Sequence, residues 1–173
     1  MADRGPLLRY VAGWLAAGAV LLVLVFTLLP REGGDEVVPL PPVRQTELSE
    51  AARAAGCVLR AQGEPGRRGS PARPGVYSRT VDPRALIGAV RVGTIVIHHR
   101  PALGEGELDR LRAIQRAVPA GTIVAPRADM PDLVAVTGWR RRLGCRRLNA
   151  ATFDAIRLFR GRFIGSGPDR AAP

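Results

Sequence analysis

Lysine is missing from the 173 residues; all 26 basic side chains are arginine. A Walker-type phosphate loop needs a lysine, so that class of nucleotide binder is excluded. Histidine is nearly as scarce, with only His98 and His99, adjacent in sequence. Neighbours on a strand point to opposite faces, so the two do not readily grip one metal ion, and no cysteine or carboxylate cluster surrounds them in sequence. Ser78, Asp82 and either histidine could be assembled into a catalytic triad on paper, but no nucleophile elbow singles out the serine. Aromatic residues make up 5% of the chain. A nucleic-acid groove stacks bases on interleaved aromatics, and only Trp139 stands beside the densest arginine run, so nucleic acid is set aside as a partner. The expectation is a protein with no catalytic residues, metal or cofactor, acting by binding.

What the sequence does contain is one long apolar run. Residues 10–29, YVAGWLAAGAVLLVLVFTLL, carry no charged side chain. Twenty helical residues rise about 30 Å, the thickness of a bilayer's hydrocarbon core. Tyr10 and Trp14 sit near its start, at headgroup level. Arg4 and Arg9 precede it, whereas Arg31 behind it is diluted by Glu32, Asp35 and Glu36. The positive-inside rule then predicts a cell-membrane protein with a single pass: residues 1–9 cytoplasmic, the rest outside the cytoplasm. A cleavable signal peptide is the competing reading. Its apolar core would be shorter, and no small-x-small site follows Leu29, so an uncleaved anchor is expected.

Residues 30–45 form a proline- and glycine-rich spacer. Behind it a single α/β domain is expected over residues 46–164, with a flexible tail over 165–173. Thr46 is positioned as an N-cap for a short helix ending at Gly56. Residues 63–75, GEPGRRGSPARPG, can hold no regular element. Strands are expected at Leu86-Ile87 and, from a β-branched run, over residues 93–99. Residues 105–118 read as a helix with Leu108, Leu111, Ile114 and Val118 on one stripe. The sequence Gly104-Glu105-Gly106-Glu107-Leu108-Asp109 imitates a dinucleotide fingerprint, but it places acids where a pyrophosphate would sit. A strand over 122–125 follows, then a third over 133–137 running on past a bulge at Gly138, and a last helix capped by Asn149. The prediction is a small α/β sandwich with a β-α-β-β-α core: a parallel pair across the first helix, the next strand returning antiparallel, in a mixed sheet.

Two features remain. Cys57 and Cys145 flank the core, and outside the cytoplasm a disulfide between them is expected; the alternative is an extracytoplasmic thiol or redox-linked enzyme using Cys145, its thiolate favoured by adjacent arginines. The run GWRRRLGCRR supplies Arg140, Arg141, Arg142, Arg146 and Arg147 as candidate contacts for an anionic partner: anionic lipid of the bilayer, a cell-wall polymer or an acidic protein. A solvated rim beside the cysteines is the plainer reading of the same residues.

Gly56-Cys57, Gly75-Val76-Tyr77 and Gly93-x-Ile95-Val96-Ile97 occur in order with Val124-Ala125-Pro126-Arg127, Val134-Ala135-Val136-Thr137-Gly138-Trp139 and Leu143-Gly144-Cys145. By these residues the segment from Gly56 to about Arg162 resembles domain of unknown function 3105, a family of membrane-anchored bacterial proteins. The resemblance implies an extracytoplasmic domain behind one helix, with both cysteines in the family's positions, and no activity. It also shows departures. Where the family reads H-x-L-E-H-G, this chain has Gly88, Ala89, Val90, Arg91, Val92 and Gly93, so both imidazoles and the acid are gone.

Overall fold

A computed structural model describes residues 44–169. The expected membrane anchor at 10–29, its cytoplasmic flank and nearly all of the spacer lie outside these residues. Among the described residues no helix is long and apolar enough to cross a membrane.

The elements in order are α1 (Gln45–Ala54), β1 (Cys57–Ala61), β2 (Gly75–Val76), α2 (Pro83–Arg91), β3 (Ile95–His99), α3 (Glu105–Ala117), a 3-10 turn (Pro119–Gly121), β4 (Thr122–Pro126), β5 (Val134–Gly138), β6 (Arg141–Cys145) and α4 (Ala150–Phe163). The six strands form one mixed sheet in the order β1-β6-β5-β3-β4-β2. β3 and β4 are parallel across α3, as the sequence suggests, and β5 returns antiparallel on the far side of β3.

Side-chain alternation divides the sheet into two faces. One face carries Ile95, Ile97, Val124, Val134, Val136 and Leu143, which pack against Leu48 of α1, Leu111 and Ile114 of α3, and Phe153, Ile156 and Phe159 of α4. Asn149 caps α4 reciprocally: its Oδ1 accepts from the Thr152 N–H at 2.9 Å, and its own N–H donates to the Thr152 hydroxyl at 3.2 Å. The opposite face carries Val96, Ile123 and Ala125, covered by Leu86, Ala89 and Val90 of α2. α2 reaches only the β3–β4 half. Among the described residues, no helix lies on this second face over β5 and β6.

Five sequence expectations need correction. Thr46 is not the N-cap of α1, whose cap is Arg44, and it lies within the helix's first turn. Leu86-Ile87 is helical: Pro83 begins α2, the Asp82 carboxylate accepts the Arg84 N–H at 2.9 Å, and Leu86, Ala89 and Val90 fall at helical spacing toward the sheet. That cap also occupies one acid of the paper triad. The strand expected to continue through Gly138 is two strands, β5 and β6, paired with Gly138 opposite Arg141, so that Trp139 and Arg140 form a two-residue hairpin. Arg140 sits there at φ 54°, a left-handed conformation usually taken by glycine or asparagine, which is why the turn carries no sequence signal. The sheet also begins earlier than expected, because Cys57–Ala61 pairs with β6. Finally, the tail is tied down as far as Asp169: the Gly165 N–H donates to the Gly93 carbonyl at 2.8 Å and the Asp169 N–H to the Arg91 carbonyl at 3.0 Å.

Candidate binding cleft

The uncovered half of the second face forms the floor of a cleft of about 750 Å³. The ladder registers place Arg142, Thr137 and Val96 side by side across β6, β5 and β3, and in the next row Gly144, Ala135 and His98. Ala135 is small and lines the cleft beside His98, whereas Gly144 lies outside the lining. One wall is α2, through Leu86, Ile87 and Val90; the other is the loop after β4, through Arg127, Asp129 and Met130. Glu64 and Pro65 approach from the loop after β1. The volume lies within the ~300–1,000 Å³ usual for small-molecule sites, and the lining joins an apolar majority to several polar and charged side chains.

His98 is the most constrained of those polar groups. It is 9% exposed, and its Nδ1 is sealed from solvent without a hydrogen-bond partner. Burial pushes its pKa down to about 4, and the charge of Arg127 pushes in the same direction. At neutral pH the ring is therefore an uncharged imidazole. With Nδ1 sealed, Nε2 is the ring nitrogen left to meet a ligand in the cleft. His99 faces the other core and holds the Arg100 carbonyl with its Nδ1 at 2.9 Å. The two rings do lie on opposite faces, and among the described residues no group of three or more histidine, cysteine, aspartate or glutamate side chains is placed to hold a metal ion.

The arginines around the cleft differ in how far their charge is already neutralised. Arg127 binds Asp129 at 2.8 Å, which holds that carboxylate below its usual range. Arg142 donates to Asp132 at 2.7 Å, with both side chains largely buried. Asp132 in turn packs over Gly144, where any β-carbon would stand 2.5 Å from a carboxylate oxygen. Arg140 has no carboxylate partner among the described residues.

The five arginines singled out from sequence do not form one patch. Arg140 and Arg142 line the cleft, whereas Arg146 lies with Arg142, Arg60 and Val58 along a smaller neighbouring hollow. Alternation along β6 puts Arg141 on the helix-covered side of the sheet, at its exposed end, and Arg147 lines neither hollow. Arg127 and His98, which sequence reasoning left out of the site, belong to it. Sequence separation hides them: only the pairing of β3 with β5 brings His98 beside Ala135 and toward Thr137 and Arg142.

Cys57 and Cys145 form the disulfide, at directly opposed positions of β1 and β6. Both are buried, and no free cysteine remains among the described residues, so the Cys145 thiol required by the redox alternative is not present.

Residues 67–169 match the family described as Protein of unknown function (DUF3105). The chain belongs to this family. No curated protein and no solved structure matches it. The matched stretch contains the whole of α2 through α4 and Cys145, while Cys57 lies before it.

The three places where this DUF3105 chain lacks imidazoles and an acid fall at the end of α2, and none lines the cleft. Gly88 is pressed against the preceding loop, so a β-carbon there would stand 2.5 Å from the Gly69 carbonyl oxygen. Arg91 grips Asp169 through two nitrogens, at 2.7 and 2.9 Å, reaches Glu64 at 3.4 Å and lies 5.3 Å from the Trp139 ring centroid. Arg68 joins it on Asp169. At Arg91 this chain has a clasp joining tail, loop and hairpin.

Proposed function

We propose that this protein is a membrane-anchored, extracytoplasmic binding module that holds an anionic ligand in the cleft between α2 and the loop after β4. The observation that carries the reading is Arg140, a guanidinium with no carboxylate partner at the edge of an apolar cleft whose floor holds the neutral His98. An uncompensated cation beside a low-dielectric surface favours anions more strongly than the same charge on an open face. Residues 10–29 support the anchored placement by their length and lack of charge. The disulfide suits an oxidising compartment. The wider surplus of arginine over acid would draw anionic lipid, wall polymer or an acidic protein toward the domain electrostatically.

Two measurements test this. A periplasm-active reporter fused after Pro173 should be active and a cytoplasm-active one silent; the reverse pattern removes the extracytoplasmic placement. The full chain in zwitterionic nanodiscs should bind small organic anions in preference to their neutral analogues. That binding should weaken as salt rises and fall about tenfold in Arg140→Gln, the equivalent of about 1.4 kcal/mol. Equal binding of neutral and anionic analogues would reject the anion-binding reading.

A further inference from the structure

The cleft has two different polar ends, and their separation restricts what can occupy it. Arg140 stands in the hairpin beyond Gly138, at one end of β5. His98 is paired with Ala135, which lies three residues, or roughly 10 Å at strand rise, before Gly138, with Arg140 two residues farther on in the turn. Between them the floor is the row of Val96, Thr137 and the Asp132-paired Arg142, and Leu86, Ile87 and Val90 close over it from α2. A ligand lying along this line meets a cation, then Thr137 and Val96 beneath the apolar wall of α2, then an uncharged imidazole that is 9% exposed.

The charges along the cleft set the ligand's valence. Arg127 and Arg142 are held by Asp129 and Asp132, and Glu64 is engaged by Arg91. Among the described residues, one positive charge along the cleft is left without a carboxylate partner, on Arg140. A polyphosphate or a phosphate monoester, carrying about −1.5 to −2 per phosphate, would strip those ion pairs or remain undercompensated among apolar walls. A single carboxylate matches what is free. At the far end, a hydroxyl or amide that hydrogen-bonds to His98 Nε2 is preferred over a second charge, because the buried surroundings penalise any ion placed there.

Resting on the anion-binding reading above, we propose that the cleft takes a monoanionic amphiphile about ten heavy atoms long: a carboxylate on Arg140, an apolar chain between Val96 and the α2 side chains Leu86, Ile87 and Val90, and an uncharged polar group at the far end on His98. Four probes separate the contributions, each titrated against the full chain in zwitterionic nanodiscs with empty discs subtracted: ω-hydroxydecanoate, decanoate, decanol and tripolyphosphate. The expected order of affinity is ω-hydroxydecanoate, then decanoate, with decanol at least tenfold weaker than decanoate and tripolyphosphate not saturable. Arg140→Gln, a change at an exposed hairpin position, should weaken both acids about tenfold and leave the preference between them unchanged. His98→Phe, which keeps the volume apolar, should erase the preference for ω-hydroxydecanoate while decanoate still binds.

Tight binding of tripolyphosphate with no binding of either acid would overturn the amphiphile while leaving the anion-binding reading standing. If none of the anions binds, both are overturned. Equal affinity of the two acids in the unsubstituted protein would remove His98 from the site, and so would a preference that survives His98→Phe. Should His98→Phe fail to fold, the unsubstituted protein's preference and the Arg140→Gln titration still decide the matter.

Discussion

At the scale of the residue, His98 shows how far a position on a central strand departs from its isolated chemistry. Sequence identifies it as one of two histidines at a strand end, and strand alternation separates it from His99; both points hold. Sequence could not show that it borders a cleft, because Ala135, Thr137 and Arg142 approach it only through the β3–β5–β6 ladder. Its pKa, lowered to about 4 by burial first and Arg127 second, has a consequence for stability. Below its ordinary value of 6.5 the unfolded chain takes up a proton that the folded protein refuses until about pH 4, so this group destabilises the fold as pH falls through that window and has no effect above it. Between pH 7 and pH 5 the loss from this one group is about 2 kcal/mol. Denaturant midpoints should therefore fall more steeply on acidification than in His98→Phe, which has nothing to titrate. Parallel pH profiles for the two proteins would show that His98 is not buried in its neutral form.

At the scale of the element, legibility followed the strength of the local signal. α3 and α4 are where the apolar stripes place them, and Asn149 caps α4 as expected, because stripe and cap are local features. α2 was missed because a two-residue apolar pair, Leu86-Ile87, outweighed the Asp82-Pro83 start signal before it. The hairpin at Trp139-Arg140 was missed because an arginine occupies its left-handed position. β1 was missed because half of it faces solvent, with Val58 50% exposed at the edge of the sheet. An edge strand of five residues pairs on one side only, so its attachment rests on β6 and on the Cys57–Cys145 bond. With 88 residues between the cysteines, loop-closure entropy puts the bond's contribution at about 4–5 kcal/mol as an upper figure. Peptide mapping without reductant should recover the two cysteine peptides linked. Replacing both cysteines with alanine should lower the denaturant midpoint and speed hydrogen exchange at residues 58–61 before that of β3 or β4. Two freely alkylated cysteines would contradict the bond, and uniform acceleration across the sheet would contradict the local role given to it.

At the scale of the whole molecule, the mixed sheet is covered unequally. Three helices fill one face and one short helix covers half of the other, and the cleft is the part left over. The α/β class and the parallel pair with its antiparallel neighbour were legible because β-branched runs and a helical crossover dictate them. The binding site was half legible. Arg140 and Arg142 lie in a conspicuous run, but Arg146 and Arg147 in that run stand elsewhere, and His98 and Arg127 come from distant sequence. The clasp of Asp169 on Arg91 and Arg68 was invisible for the same reason, since its partners are brought together only by the finished fold.

The central claim is that an anionic ligand sits in this cleft and not along the exposed arginines. Hydrogen–deuterium exchange on the full chain in nanodiscs, with and without whichever small anion binds tightest, tests it most directly. The account predicts added protection in residues 62–65, 79–82 and 127–131 and at the 138–142 hairpin, with no change around Arg146 and Arg147 or in α3 and α4. Protection confined to residues 146–149, or spread evenly over the basic surface, would contradict it.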